Sequence, residues 1–206
     1  PHAIDIHGNV RTFEDLVNTR LAAAMQHLTD PENKVYFLGM EGEFFEADVH
    51  TLEVTQLFDL LKDLDISGKA HFKDACTAHG RVVVANNSYY PQDFERGESD
   101  GRLAEWDGQT WRILARTQYN TVTARIGGDL GRAIYAVGQD PASALLNVYL
   151  PETGWQLYRL PKSTHTQDHA WTTEWPRIRE VESERWLIDA GGLFYELPAM
   201  TYGNAV

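Results

Sequence analysis

The chain has 206 residues, 43% of them hydrophobic and 23% charged, enough apolar material for one sizeable core and an ordinary globular balance. Its 18 Lys+Arg against 30 Asp+Glu leave a net charge of -12, which excludes a surface built to neutralise many nucleic-acid phosphates or anionic lipids. No apolar run approaches the roughly 18 residues of a membrane-spanning helix, and Cys76, the sole cysteine, can form neither an intrachain disulfide nor a cysteine-built zinc site.

Along the chain, Ile4 and Ile6 flank Asp5 ahead of His7-Gly8-Asn9, the pattern of a short strand running into a turn. Thr12 and Asp15 then resemble a capping arrangement. Phe13, Leu16, Val17, Leu21, Ala24, Met25 and Leu28 follow at helical spacing, so an amphipathic helix is expected over Phe13–Leu28, stopped by Thr29-Asp30-Pro31. After Pro31 the period falls to two. Val35-Tyr36-Phe37-Leu38 is a short apolar run closed by Gly39, and Glu43–Phe58 reads as a hairpin whose exit, Phe58–Leu64, is a helical turn or a strand edge.

The same plan returns three times. Residues from His71 lead to Arg81-Val82-Val83-Val84-Ala85, a polar loop over Asn86–Asp100, and a hairpin over Arg102–Leu114. Tyr119–Ala124 leads to Ala133–Gly138 and a hairpin over Ala144–Pro161, where Pro151 fixes φ and Gly154 accepts positive φ between two apolar runs. His169–Glu174, Arg185–Ala190 and Leu193–Leu197 form a fourth, shortened copy.

The second runs begin at Val35, Val82, Ile134 and Trp186, a repeat of about 47 to 52 residues. All-β repeats of that length, four strands to a unit, are the signature of β-propeller blades; evenly spaced strands of a sandwich are the competing arrangement. The expected fold is therefore all-β, with about three complete blades (34–64, 69–116, 117–161), a partial one (165–206), and an N-terminal strand and amphipathic helix (1–33) belonging to the first. Closed propellers need four to eight blades, so an incomplete or half propeller is expected. Missing blades of the same chain, or a second copy, would then close the ring and cover the apolar end faces.

Tyr149, Pro151, Thr153-Gly154 and Trp155 resemble a kelch-type blade, with a tryptophan six residues after the tyrosine. Trp111 after Asp107-Gly108 is similar, and Gly191-Gly192 looks like the kelch double glycine. The double glycine is missing at Gly39, Asn86 and Gly138, Val54 stands where a tryptophan would, and Trp106-Asp107 has no Gly-His pair before it. The resemblance spans about residues 34–198, implies a propeller architecture, and implies no particular activity.

In such a fold the innermost strands line a central channel. Aligning the units puts His71-Phe72-Lys73-Asp74, Tyr119-Asn120-Thr121-Val122 and His169-Ala170-Trp171-Thr172 in equivalent inner positions; Asp5-Ile6-His7 would be the first unit's inner strand. Imidazoles converging there suit a divalent metal or acid-base work, so His7, His71 and His169 are the candidate metal ligands, set against the plainer role of hydrogen-bonded channel lining. His165 and His169, roughly 13 Å apart on a strand, are too distant to share one metal. Glu174 and Arg177, with Trp171 and Trp175, would make a carboxylate, guanidinium and aromatic pocket for a polar ligand such as a sugar, or else a strand-tying pair between packed rings. Tyr119 joins Trp171 and Arg177 as a ligand-binding candidate.

Two readings follow. One is a soluble binding module that holds a small polar ligand or a protein at its channel mouth. The other is a metal-assisted hydrolase or lyase on a polar, carbohydrate-derived substrate, with a divalent ion on the three histidines and Glu174 as general base. The single cysteine, and a start without a basic-then-apolar leader, favour the cytoplasm.

Overall fold

The computed structural model describes residues 1–4, 7–68, 70–88, 96–124, 133–161, 177–182, 185–189 and 193–197. After a hairpin of β1 (His2–Ile4) and β2 (Val10–Thr12), four antiparallel sheets follow in chain order. The first is β3 (Leu21–Gln26), β4 (Lys34–Gly39), β5 (Glu43–Asp48) and β6 (Val54–Asp59). The second is β7 (Ala70–Ala78), β8 (Arg81–Ser88), β9 (Arg102–Trp106) and β10 (Trp111–Ala115). The third is β11 (Gln118–Ala124), β12 (Ile134–Gln139), β13 (Ala144–Leu150) and β14 (Gly154–Leu160). The fourth is β15 (Arg177–Glu182), β16 (Arg185–Asp189) and β17 (Phe194–Leu197).

Each sheet is a meander whose strands neighbour one another in sequence order. The hairpins read from the turn residues are all present, and their turns are held as those residues require. Asp107 Oδ1 accepts from the Gln109 and Thr110 amides at 2.8 and 2.9 Å, and Gly154 takes φ +72° at the start of β14. Between hairpins, Asp59 caps a single turn, α1 (Leu60–Asp63), by accepting from the Leu61 amide at 3.2 Å.

The sheets stack face against face through separate apolar layers. Tyr36, Leu38 and Phe44 of the first meet Phe72, Val84 and Trp106 of the second; Val83 and Leu103 of the second meet Ile134 and Leu145 of the third. Tyr135, Val137 and Leu146 of the third meet Ile178 and Ile188 of the fourth. A strand buried on both faces loses the alternation of a half-exposed one, which is why all of β12 is buried. The first strands gather at the hub: β3 lies along β7, and β7 along β11. Four-stranded meanders stacked radially with their first strands central are a β-propeller, as the repeat length implies.

The expected helix over Phe13–Leu28 is not formed. A 3-10 turn at Glu14–Leu16 is followed by β3, which supplies the first sheet's inner strand. The helical spacing arises from two short elements placed end to end. Phe13 and Leu16 bury against Phe37 and Ala47, whereas Met25 buries on the opposite face with Tyr36. Pairing with β4 overrides the local helical preference. Thr12 caps nothing; its Oγ1 lies 3.0 Å from His2 Nδ1 across the β1–β2 hairpin. The segment before β3 thereby covers the face of the first sheet that looks away from the second, where Leu21, Val35 and Phe45 also pack.

Candidate functional site

The inner strands share a defect. Each pairs with its neighbour through a bulge near its start, between Leu21 and Ala23, Phe72 and Asp74, and Tyr119 and Thr121. Superposing the bulges puts Leu21, Phe72 and Tyr119 at one level, and Arg20, His71 and Gln118 at the level before it. The sequence alignment of His71 with Tyr119 is therefore out by one residue: the inner ring at the mouth is arginine, imidazole and amide.

Backbone bonds knit this rim across sheets. The Met40 amide donates to Arg20 O at 2.7 Å, and the Phe72 amide to Met40 O at 3.0 Å, so the β4–β5 turn bridges β3 and β7. Between β7 and β11 the link is Asp74, whose carboxylate accepts from the Val122 amide at 3.0 Å and from the Ala75 amide at 2.9 Å. Burial pushes the Asp74 carboxyl up, and these two bonds pull it partly back.

Lys73 is the bulged residue of β7, and its Nζ lies 3.4 Å from His71 Nδ1. The ammonium can only donate, so Nδ1 accepts and the neutral ring carries its proton on Nε2. Burial, then the neighbouring Lys73 and Arg20 charges, hold His71 below its ordinary value against the pull of Glu41. Burial and Arg20 likewise lower Lys73. Beside them, Asn86 receives the Arg102 amide at 2.8 Å and donates to Asp100 O at 3.1 Å, while the Arg102 guanidinium binds the carbonyls of Asp65, Gly101 and Ser99.

Gln118 is different. Its residue is 0% exposed, yet neither Oε1 nor Nε2 has a hydrogen-bond partner among the described residues. Its backbone is clamped: a Cβ on Gly138, which stands opposite Tyr119 in β12, would lie 2.1 Å from Gln118 O, so that position accommodates only glycine.

Of the sequence candidates, His71 is the second residue of β7, opposite Asn87 of β8. His7 sits exposed in the turn of the N-terminal hairpin, not on the first sheet's inner strand, which is β3. Tyr119 is wholly buried between the second and third sheets; its hydroxyl accepts from Asn147 Nδ2 at 2.5 Å, and burial pushes the phenol up. Arg177 opens β15 opposite Asp189, and His169, Trp171 and Glu174 lie outside the described residues. Among the described residues no three His, Cys, Asp or Glu side chains are grouped to hold a metal. Sequence reading passed over Arg20, Lys73 and Gln118. Arg20 was hidden inside the expected helix, and the bulges that align the other two leave no mark on composition.

No protein-family profile matches the chain, and no curated protein does. Among solved structures it is similar to a protein of unknown function from Bacteroides thetaiotaomicron VPI-5482, at 14% identity and TM-score 0.50, covering 85% of this chain and 46% of that one. TolB from Acinetobacter baumannii matches at 14% identity and TM-score 0.48, over 93% of this chain and 46% of that one. A chain of a nidogen/laminin complex matches at 11% and 0.48, over 95% and 73%. The likeness is one of fold, and the chain spans less than half the length of the first two.

Proposed function

We propose that the chain is a binding module, a kelch-like propeller segment whose channel mouth holds a small polar ligand or a protein segment. The observation that carries this reading is Gln118. An unpartnered amide buried in protein costs about 1 to 3 kcal/mol, and we read the two orphaned atoms of Gln118 as awaiting bonds from a ligand. Its level is shared by residues from three sheets, so a ligand there touches several blades at once. The kelch likeness is supported by the Tyr149 and Trp155 rings, which pair across β13 and β14 with centroids 5.5 Å apart.

On this reading Trp171, Arg177 and Tyr119 remain the proposed ligand-binding residues. Further blades, from a longer chain or a second copy, complete the ring. The metal-assisted alternative retains one of its ligands, His71, on an inner strand among the described residues.

The test is Gln118→Leu. Removing two orphaned polar atoms is expected to leave stability unchanged or raise it by about 1 kcal/mol. The same change should abolish the thermal shift that small polar ligands give the wild-type chain. A variant that unfolds more readily, or that keeps the ligand-induced shift, would remove the basis of the proposal.

A further inference from the structure

Two cations meet at the mouth of an acidic chain. Against a net charge of -12, Arg20 and Lys73 stand together at the start of β3 and β7, and neither forms an ion pair among the described residues. Several other strand cations of the three four-stranded sheets are occupied. Lys34 meets Glu46, Arg81 and Arg112 meet Glu105, and Arg159 meets Asp140, while Arg102 is occupied by three carbonyls.

The carboxylates nearest the pair do not relieve it. Asp74, next in sequence to Lys73, is turned onto the Val122 and Ala75 amides, and Glu41 is exposed with no hydrogen bond to either cation. Lys73 is only half-exposed, and among the described residues its one hydrogen-bond partner is a neutral imidazole, which takes one of its three N–H groups. Arg20 is exposed and Lys73 half-buried, and an anion joining the two like charges would relieve their repulsion. The guanidinium offers a planar fork that matches the paired oxygens of a carboxylate or phosphate.

We infer that the mouth binds an oxyanion, the carboxylate or phosphate group of a small ligand, seated between Lys73 and Arg20 with the His71 ring alongside. This rests on the binding reading above and names the chemistry of the ligand. Sequestered oxygens would take the remaining Lys73 donors and the Arg20 fork.

Titration calorimetry of the 206-residue chain at neutral pH and low salt, with inorganic phosphate and with glutarate as probes, tests it. Saturable binding is expected for at least one probe, weakened by about tenfold or more in Lys73→Met and in Arg20→Met, and weakened by added salt. Phosphate bound more tightly than glutarate identifies a phosphoryl ligand, and the reverse a carboxylate. Lys62→Met, which removes an exposed charge on α1, should leave the affinity unchanged. Should Lys73→Met fold poorly, Lys73→Gln with Arg20→Gln carries the same comparison. Absence of saturable binding by both probes, or affinities indifferent to both substitutions, overturns the inference. If a neutral sugar still gives a thermal shift that Gln118→Leu abolishes, the oxyanion fails while the binding module stands.

Discussion

Replacing Glu105 with alanine is expected to destabilise the chain by about 3 kcal/mol, the lower end for breaking a buried ion pair, which for a chain of this size lowers Tm by roughly 6 to 12 °C. Glu105 is 7% exposed on β9, and its two oxygens serve three partners. Oε2 accepts from Arg81 Nη1 and from Trp155 Nε1, each at 2.8 Å; Oε1 accepts from Arg112 Nε at 2.8 Å and from Nη2. The Trp155 bond crosses from the second sheet to the third, and Arg81 stacks 4.1 Å above the Tyr149 ring of the third sheet. Alanine strands the Arg81 charge and the indole N–H at that interface. Arg112 is 64% exposed and adds little, which keeps the figure at the low end.

The pH dependence has a definite sign. Burial pushes the Glu105 carboxyl up, but the bonds from Trp155, Arg81 and Arg112 outweigh it and leave it below its ordinary 4.5. Its contribution is therefore present above that value and lost as pH falls through the folded-state value. Urea denaturation at pH 7 and in acid reads both: Glu105→Ala should lie well below wild type at neutrality and converge on it in acid. A loss under about 1 kcal/mol at pH 7 would mean that the carboxylate is not holding the two sheets together.

Phe13→Ala should have a comparable effect by another route, about 3 to 5 kcal/mol for a buried aromatic truncated in a packed site. Phe13 is 2% exposed, stands edge-on to Phe37 with ring centroids 5.2 Å apart, and with Leu16 covers the outer face of the first sheet. Phe13 and Leu16 take Phe37 and Ala47 of that face out of water, so truncating Phe13 removes both its own burial and part of theirs. Loosening this cover exposes Phe37, Ala47, Val35 and Phe45, so the variant's mass by light scattering should rise with concentration relative to wild type. A variant of wild-type stability and mass would show that the N-terminal segment is not the cover described.

The architecture was legible because propeller sheets are written in local terms. Asp107-Gly108 and Pro151 to Gly154 fix their turns by their own side-chain and backbone preferences, and the apolar runs between them recur at blade length. What stayed hidden depended on pairing. Leu21 to Gln26 carries alanines that favour a helix in isolation, and only β4 beside it makes a strand the better state. The one-residue error at His71 has the same origin, since a bulge changes the facing residue without changing composition. Lys73 stood inside the segment picked out as an inner strand, but its lack of a carboxylate follows from where Asp74 turns, and that is fixed by Val122, 48 positions away.

The first strands meet at a hub, and a long-range nuclear Overhauser map of the labelled chain measures that directly. It should show contacts between Met40 and Phe72 and between Asp74 and Val122. Sheets that show their internal pairings but no contacts from β3 to β7 or from β7 to β11 would contradict the hub, and the mouth with it.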